Sequence, residues 1–348
     1  MLQSNASRRD LARGIAALGF GLTAGAGLAA SPALAQPGAA SVDAAVKAAY
    51  DKFKTLDEGK NADYIPALAK VPSNYFGIAV VTPQGKTSTA GDIEPTFSIQ
   101  SISKVFTMAL VFQESGEDLI ENSIGVDATG QVFNSIVAVE QFKGKEMNPL
   151  VNPGAIATTG MVKGSSADDI WAKIIGIHSD CAGRKLGIDQ EVYKSESDTN
   201  QRNRAISMLM SAYERFPSDP AQAVDLYTRQ CSIAVNAKDL GMMAATLANG
   251  GKNPVTGKQV IDSKNVPGIL AVMATAGLYD DSGKWLFHTG LPGKSGVGGG
   301  LIAVSPGKFG VGTFAPPLDA AGNSVRGQRA ISAISDALGG NPYAVKPA

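Results

Sequence analysis

The strongest strand signals in this chain stand at its two ends. Phe76–Thr82 reads FGIAVVT, an apolar run closed by the turn Pro83-Gln84-Gly85, after which Lys86–Ala90 returns as a second strand. Further strands are expected only from about Lys284 onward, at Trp285–Thr289, Gly298–Val304 and Phe309–Phe314. Ser305-Pro306-Gly307-Lys308 turns the last two into a hairpin. Between the two ends the patterning is helical: Ser101–Glu114 closed by Gly116, Asp168–Gly176, Arg202–Tyr213, Ala221–Arg229, and Lys238–Ala248 stopped by Asn249-Gly250-Gly251. Ser41–Lys54 and Ile331–Leu338 add a helix at either end. Such a chain has to bring both ends together to build one sheet. The expected fold is mixed α/β (α+β): an antiparallel sheet of about five strands flanked by helices, with an all-helical domain inserted. The sheet domain is assigned to residues 36–106 plus 273–340, the helical domain to 107–272 and a C-terminal tail to 341–348.

Residues 1–35 read as an export signal rather than as part of the fold. A basic, polar opening is followed by a Gly/Ala-rich apolar stretch from about Ile15 to Ala30. SPALA then supplies a small-residue cleavage site between Ala35 and Gln36. Arg8-Arg9 after Ser7, with a weakly apolar core behind it, is the pattern of a twin-arginine signal. No other stretch is long and apolar enough to span a bilayer, so a periplasmic protein without stable membrane insertion is expected.

Composition narrows the chemistry. The formal net charge is zero and no basic patch is interleaved with aromatics, which argues against a nucleic-acid partner. The imidazoles are His178 and His288, and the thiols are Cys181 and Cys231. Neither pair has metal-ligand spacing, so no metal or cofactor is expected, and a Ser-His-Asp triad has little to draw on. The two cysteines suit a disulfide in an oxidising compartment and a pair of buried thiols equally well.

Gln100-Ser101-Ile102-Ser103-Lys104 holds Ser-x-x-Lys at the head of a helix. Residues three apart share a helix face, so the Lys104 amine can reach the Ser101 hydroxyl. Lysine serves as a base only when burial or a neighbouring cation lowers its pKa, and Lys294 is the candidate cation. Alone the motif is weak. It recurs at Ser305–Lys308, a surface turn with no evident chemistry. Lys294-Ser295-Gly296, opening a glycine-rich strand, gives it meaning, because penicillin-binding proteins and serine β-lactamases pair Ser-x-x-Lys with Lys-Thr/Ser-Gly.

Longer blocks sharpen that likeness. GKNADYIPALAKV (59–71), FSIQSISKVF (97–106), FNSI (133–136), NPLVNPGAI (148–156), RNRA (202–205), LYTRQCSI (226–233), TLANGGKNPVTG (246–257), GLYDDSG (277–283), GLPGKSGVGGG (290–300) and PPLDAAGNSVRG (316–327) resemble, in order, the serine-dependent glutaminase family. The likeness covers roughly residues 41 to 338 and is to the short bacterial form. It implies a serine β-lactamase-like fold and hydrolysis of L-glutamine to L-glutamate and ammonia through an acyl-enzyme. Ser101 would be the nucleophile and Lys104 its base. The N–H groups of Ser101 and Val297 would form the oxyanion hole, and Tyr279 would relay a proton to departing ammonia. Tyr64, Asn152, Glu196, Asn203 and Tyr227 would grip the amino-acid end of the substrate, with Gln100 also in the pocket. Glu196 suits the substrate amine, and the amides and phenols suit its carboxylate. This chain departs from the family in having Pro153 and Gly293 where alanine is usual, and in carrying an export signal. A homodimer or homotetramer is expected. Two rivals remain at this point: a β-lactamase-like or penicillin-binding-type hydrolase, and an amino-acid-binding protein that has lost catalysis.

Overall fold

The structure, a computed structural model, describes residues 41–145, 147–345 and 347; the expected export signal, residues 1–35, lies outside the described residues. Along the chain come α1 (Val42–Phe53), α2 (Pro66–Ala69), β1 (Gly77–Val81), β2 (Thr87–Gly91) and β3 (Phe97–Ser98). A 3-10 turn (Gln100–Ile102) then leads into α3 (Ser103–Ser115) and α4 (Glu117–Ser123). α5 (Ile136–Phe142), α6 (Asn152–Gly160), α7 (Ala167–Ala182), β4 (Gly187–Ile188), α8 (Gln190–Thr199), α9 (Gln201–Ala212) and α10 (Pro220–Cys231) follow. β5 (Ile233–Val235), α11 (Ala237–Ala248), α12 (Val266–Ala276), a 3-10 turn (Tyr279–Asp281) and α13 (Ser282–Thr289) precede β6 (Gly293–Ser295), β7 (Gly300–Ser305), β8 (Phe309–Phe314) and α14 (Val325–Leu338).

The main sheet has five strands in the order β2-β1-β8-β7-β6, with every described pairing antiparallel. Its centre is the β1–β8 pair, in which Ala79 faces Gly312. Alternation along the strands sets the two faces. Ile78, Val80, Leu301, Ala303 and Val311 pack with Val46 and Ala49 of α1 and Ala330, Ile331 and Ile334 of α14. The opposite face takes α11, whose backbone comes so close that a Cβ at Gly312 would lie 2.3 Å from the Gly241 nitrogen. α11 falls inside the stretch assigned to the helical domain, yet it packs on β1, β7 and β8. It is fixed at its start by a capping box between Asn236 and Asp239.

The expected sheet of about five antiparallel strands is found, but one expected member does not belong to it. Trp285–Thr289 is not a strand; it lies in α13. Trp285 and Thr289 are buried four residues apart while Phe287 is 82% exposed, which is helical periodicity, and left-handed Gly290 ends the helix. The fifth strand is β6, whose three residues Gly-Lys-Ser lack the apolar, β-branched signature of a strand. A second sheet, β3-β5-β4, has strands of two or three residues and so no readable period.

Candidate active site

Ser101 sits at the junction of β3 and α3, where the chain turns sharply. Gln100 adopts φ 52°, the left-handed region that non-glycine residues rarely occupy. β3 is pinned to β5 through Phe97–Val235 and Ser98–Ala234, and Phe97 stacks on Phe314 of β8 with ring centroids 3.9 Å apart. The Ser103 hydroxyl returns to the Gln100 carbonyl at 2.7 Å. The nucleophile candidate is therefore held from both sides at the N-terminal end of a buried helix.

The turn between β6 and β7 lies directly against this junction. A Cβ on Gly296 would come within 2.7 Å of the Ile99 carbonyl oxygen, and one on Gly298 within 2.7 Å of the Ser98 carbonyl oxygen. These two glycines let Val297 approach Ser101, and both residues line one cavity of about 280 Å³. Neither the Ser101 nor the Val297 N–H donates to a carbonyl or side chain among the described residues. Two free donors beside a serine hydroxyl are what a developing oxyanion requires.

The same cavity is lined by Tyr64, Gln100, Asn152, Glu196, Asn203 and Tyr227, which come from six separate segments. Asn152, the first residue of α6, is their hub. Its Oδ1 accepts from Lys104 Nζ at 2.7 Å and from the Tyr227 hydroxyl at 3.2 Å, and its Nδ2 donates to Asn203 Oδ1 at 3.0 Å. Pro153 does not displace it. The proline takes an early helical position where its absent N–H would have no intrahelical partner, and Asn152 N–H donates to Phe133 O at 2.7 Å. Gly293, the other departure, makes room for an indole: a Cβ there would lie 2.8 Å from Trp285 Nε1.

Lys104 is buried, and its amine also reaches the Leu150 carbonyl at 3.4 Å, with the Tyr227 ring 5.7 Å away. It makes no hydrogen bond to the Ser101 hydroxyl in this state. Burial lowers its pKa to about 8, against the opposing pull of Cys231 and Glu196. The expected contribution of Lys294 falls the other way: burial, then repulsion from Lys104, hold the Lys294 amine well below its usual range. Lys294 Nζ donates to Gly277 O and Ser295 O, both at 2.8 Å, and lies 4.1 Å from the centre of the Tyr279 ring. Buried Glu196 accepts from Gln100 Nε2 at 3.2 Å, and burial raises its carboxyl to about 7.

Tyr279 stands beside the cavity rather than in its lining. It too has a left-handed backbone, φ 59°, and its ring packs 4.9 Å from that of Phe133. Burial pushes its phenol up to about 12, against hydrogen bonding by Ser101 and Ser295. Ile65, Phe133, Asn134, Thr199, Asn200 and Arg202 complete the lining and were not singled out in the sequence. Ile65, Phe133, Asn134 and Arg202 do lie inside the GKNADYIPALAKV, FNSI and RNRA blocks, the one signal that could have found them.

The remaining candidates fall elsewhere. His178 is buried between the Ile174 and Ser103 carbonyls, at 2.7 and 3.2 Å, and burial lowers its pKa to about 4. His288 is exposed on α13. Cys181 and Cys231 are both buried, unpaired thiols. In the second Ser-x-x-Lys, the Ser305 hydroxyl and the Lys308 amine donate to the carbonyls of Gly340 and Gly339, at 2.7 and 2.6 Å, just beyond α14. Among the described residues no cluster of side chains suits a metal ion, and no helix is long and apolar enough to cross a membrane.

A family model described as Glutaminase matches residues 59–343. A glutaminase of Colwellia psychrerythraea is 54% identical over 295 residues, covering 85% of this chain and 95% of its own length. One of Brucella canis is 51% identical over 306 residues, covering 87% and 96%. Among solved structures, the probable glutaminase ybaS superposes with a TM-score of 0.86 at 45% identity, covering 87% of this chain and 98% of its own. The glutamate form of Mglu gives 0.80 at 32% identity, covering 86% and 69%.

Proposed function

The chain belongs to the glutaminase family and hydrolyses glutamine, and from that premise we propose that Ser101 is the nucleophile, Lys104 its base, and the Ser101 and Val297 N–H groups the oxyanion hole. The observation that carries this reading is the pair of undonated N–H groups beside the Ser101 hydroxyl, with a buried, pKa-lowered amine one helical turn away. Neutral Lys104 takes the hydroxyl proton as Ser101 Oγ bonds to the side-chain amide carbon. The oxygen becomes anionic between the two N–H donors. The tetrahedral species collapses to a glutamyl ester as the C–N bond breaks, and the proton that Lys104 took passes through Tyr279 to the nitrogen, which leaves as ammonia and returns Lys104 to its neutral form. Water, deprotonated by Lys104, then attacks the ester carbon; the ester C–O bond breaks, Ser101 Oγ takes the proton back from Lys104, and glutamate leaves.

Binding follows from charge. Glu196 faces the substrate amine, while Asn152, Asn203, Tyr227 and Tyr64 offer amides and hydroxyls to the carboxylate. With both ends fixed, asparagine is one methylene too short to bring its amide to the two N–H groups, so a selectivity of at least about a hundredfold in kcat/KM is expected. The relative Mglu has been solved in a glutamate form, and glutamate is the product of the reaction proposed here.

The deciding experiment is Ser101→Ala. Ammonia release should vanish while calorimetry still detects glutamine binding; turnover equal to wild type would remove Ser101 from the mechanism. We further infer export to the periplasm with cleavage after Ala35, supported by Arg8-Arg9 and SPALA. N-terminal sequencing of the periplasmic protein should begin at Gln36. Self-association as a homodimer or homotetramer belongs to the same proposal, and light scattering on that protein measures it.

A further inference from the structure

We propose that Gln230 is a positioning residue for the base Lys104, its buried amide bracing the three helices that carry Lys104, Asn152 and Tyr227. The inference rests on the reading of Lys104 as the base. The trio at the site joins α3, α6 and α10 through Asn152 Oδ1. Three residues further along α3 and α10, and seven further along α6, a second trio repeats the arrangement. There the Thr107 hydroxyl donates to Gln230 Oε1 at 3.0 Å, and the Thr159 hydroxyl donates to the same oxygen at 3.1 Å. Steps of three and seven return to the same helix face, so the second trio lies on the seam beneath the first.

Burial makes this arrangement consequential. Thr107 is 1% exposed, and Thr159 and Gln230 are 0% exposed. The Thr159 hydroxyl is shared with the Ala155 carbonyl at 2.9 Å, and Gln230 Nε2 has no partner among the described residues. An unpartnered buried amide nitrogen is destabilising, and an apolar side chain of the same shape would remove that penalty. What the amide supplies instead is placement: one oxygen fixes two helices relative to the third, which sets the Lys104–Asn152 contact one layer above.

The titration of Lys104 reports on that placement. Facing its amine are Tyr227 and Cys231 from α10, Glu196 from α8, Lys294 from β6 and the uncharged Asn152 from α6. Removing the brace leaves each of these groups chemically intact, so a change in the titration reports a change in how they are set around Lys104.

The test compares Gln230→Met with the double variant Thr107→Val/Thr159→Val, which breaks the same bonds from the other side. Ammonia release from glutamine is followed against pH. Each variant should lose about tenfold or more in kcat, since small misplacements at a reacting centre are costly. The acidic limb of kcat/KM should move up by about half a unit, because a loosened seam admits water and weakens the burial that lowers Lys104. A folded variant with wild-type kcat and limb, whatever its Tm, overturns the proposal. Should Gln230→Met fail to fold, the double variant decides. Lys104→Met separates the two readings. If that variant stays active, the base assignment fails. If it is inactive while the brace variants titrate like wild type, only the brace fails.

Discussion

At the scale of single residues, the site is governed by two buried charges of opposite sign. In the proposed mechanism Lys104 has to be neutral, and burial lowers its pKa to about 8; Glu196 has to be ionised to hold the substrate amine, and burial raises its carboxyl to about 7. Both requirements fail as pH falls, so log kcat/KM should drop with a slope approaching about 2 below pH 7. Glu196→Gln removes one of them. Its profile should keep a slope near 1, with kcat/KM down about a hundredfold from the lost charge-assisted contact. Steady-state assays in a constant-ionic-strength buffer series measure both effects. Much of this was legible in the sequence. Ser101 stood inside the FSIQSISKVF block and Asn203 inside RNRA, Glu196 came only with the family likeness, and Ser-x-x-Lys spacing put Lys104 on the face of Ser101. What spacing could not show is the resting partner of the amine. Asn152 lies 48 residues away and meets Lys104 only after α3 and α6 pack.

At the scale of elements, function depends on how closely two turns approach. Gln100 and Tyr279 hold left-handed backbones, and strain of this kind costs about 1–3 kcal/mol per residue. It is maintained by the packing of β3 on β5 and of the Gly296–Gly298 turn on Ser98–Gln100. Gly298→Ala would put a methyl 2.7 Å from the Ser98 carbonyl oxygen, pushing Val297 N–H away from Ser101. The expected result is a fall of about a hundredfold or more in kcat with the protein still folded, read from kinetics beside circular dichroism. This scale was the least legible. Trp285–Thr289 looked like a strand because three large apolar residues stand together, and only the burial of Trp285 and Thr289 on one face shows the helix. β6 was found through its Lys-Ser-Gly motif rather than through any strand signature, and β3, β4 and β5 are too short to carry one.

For the whole molecule, the arrangement of strands at both ends was readable and the layering of helices was not. Apolar runs at Phe76–Thr82 and Phe309–Phe314 show that two strands must be buried; nothing local says that α11 is the helix that covers them. That depends on Gly312 meeting Gly241, and Gly310 meeting Ala244 and Ala245, across the interface. Cysteine pairing was equally open until packing placed both thiols, unpaired, in the interior, where burial raises each above its usual range. The protein should therefore melt at the same temperature with and without a thiol reductant, and a shift of several degrees would mean that a disulfide supports the fold. Alkylation of the native protein should leave Cys181 and Cys231 unlabelled, and denaturation should expose both.

The pairing of β1 with β8 also sets a timetable. A ribosome releases Ser101 and Lys104 long before Val297, and β1 has only β2 beside it until Phe309–Phe314 emerges. Every earlier nascent chain carries the proposed nucleophile without the proposed second oxyanion donor and with one edge of β1 open. The sheet closes through contacts far apart in sequence, which form slowly. On the proposed mechanism hydrolytic power is thus withheld from unfinished chains, and the open edge is the point at which they are exposed to aggregation.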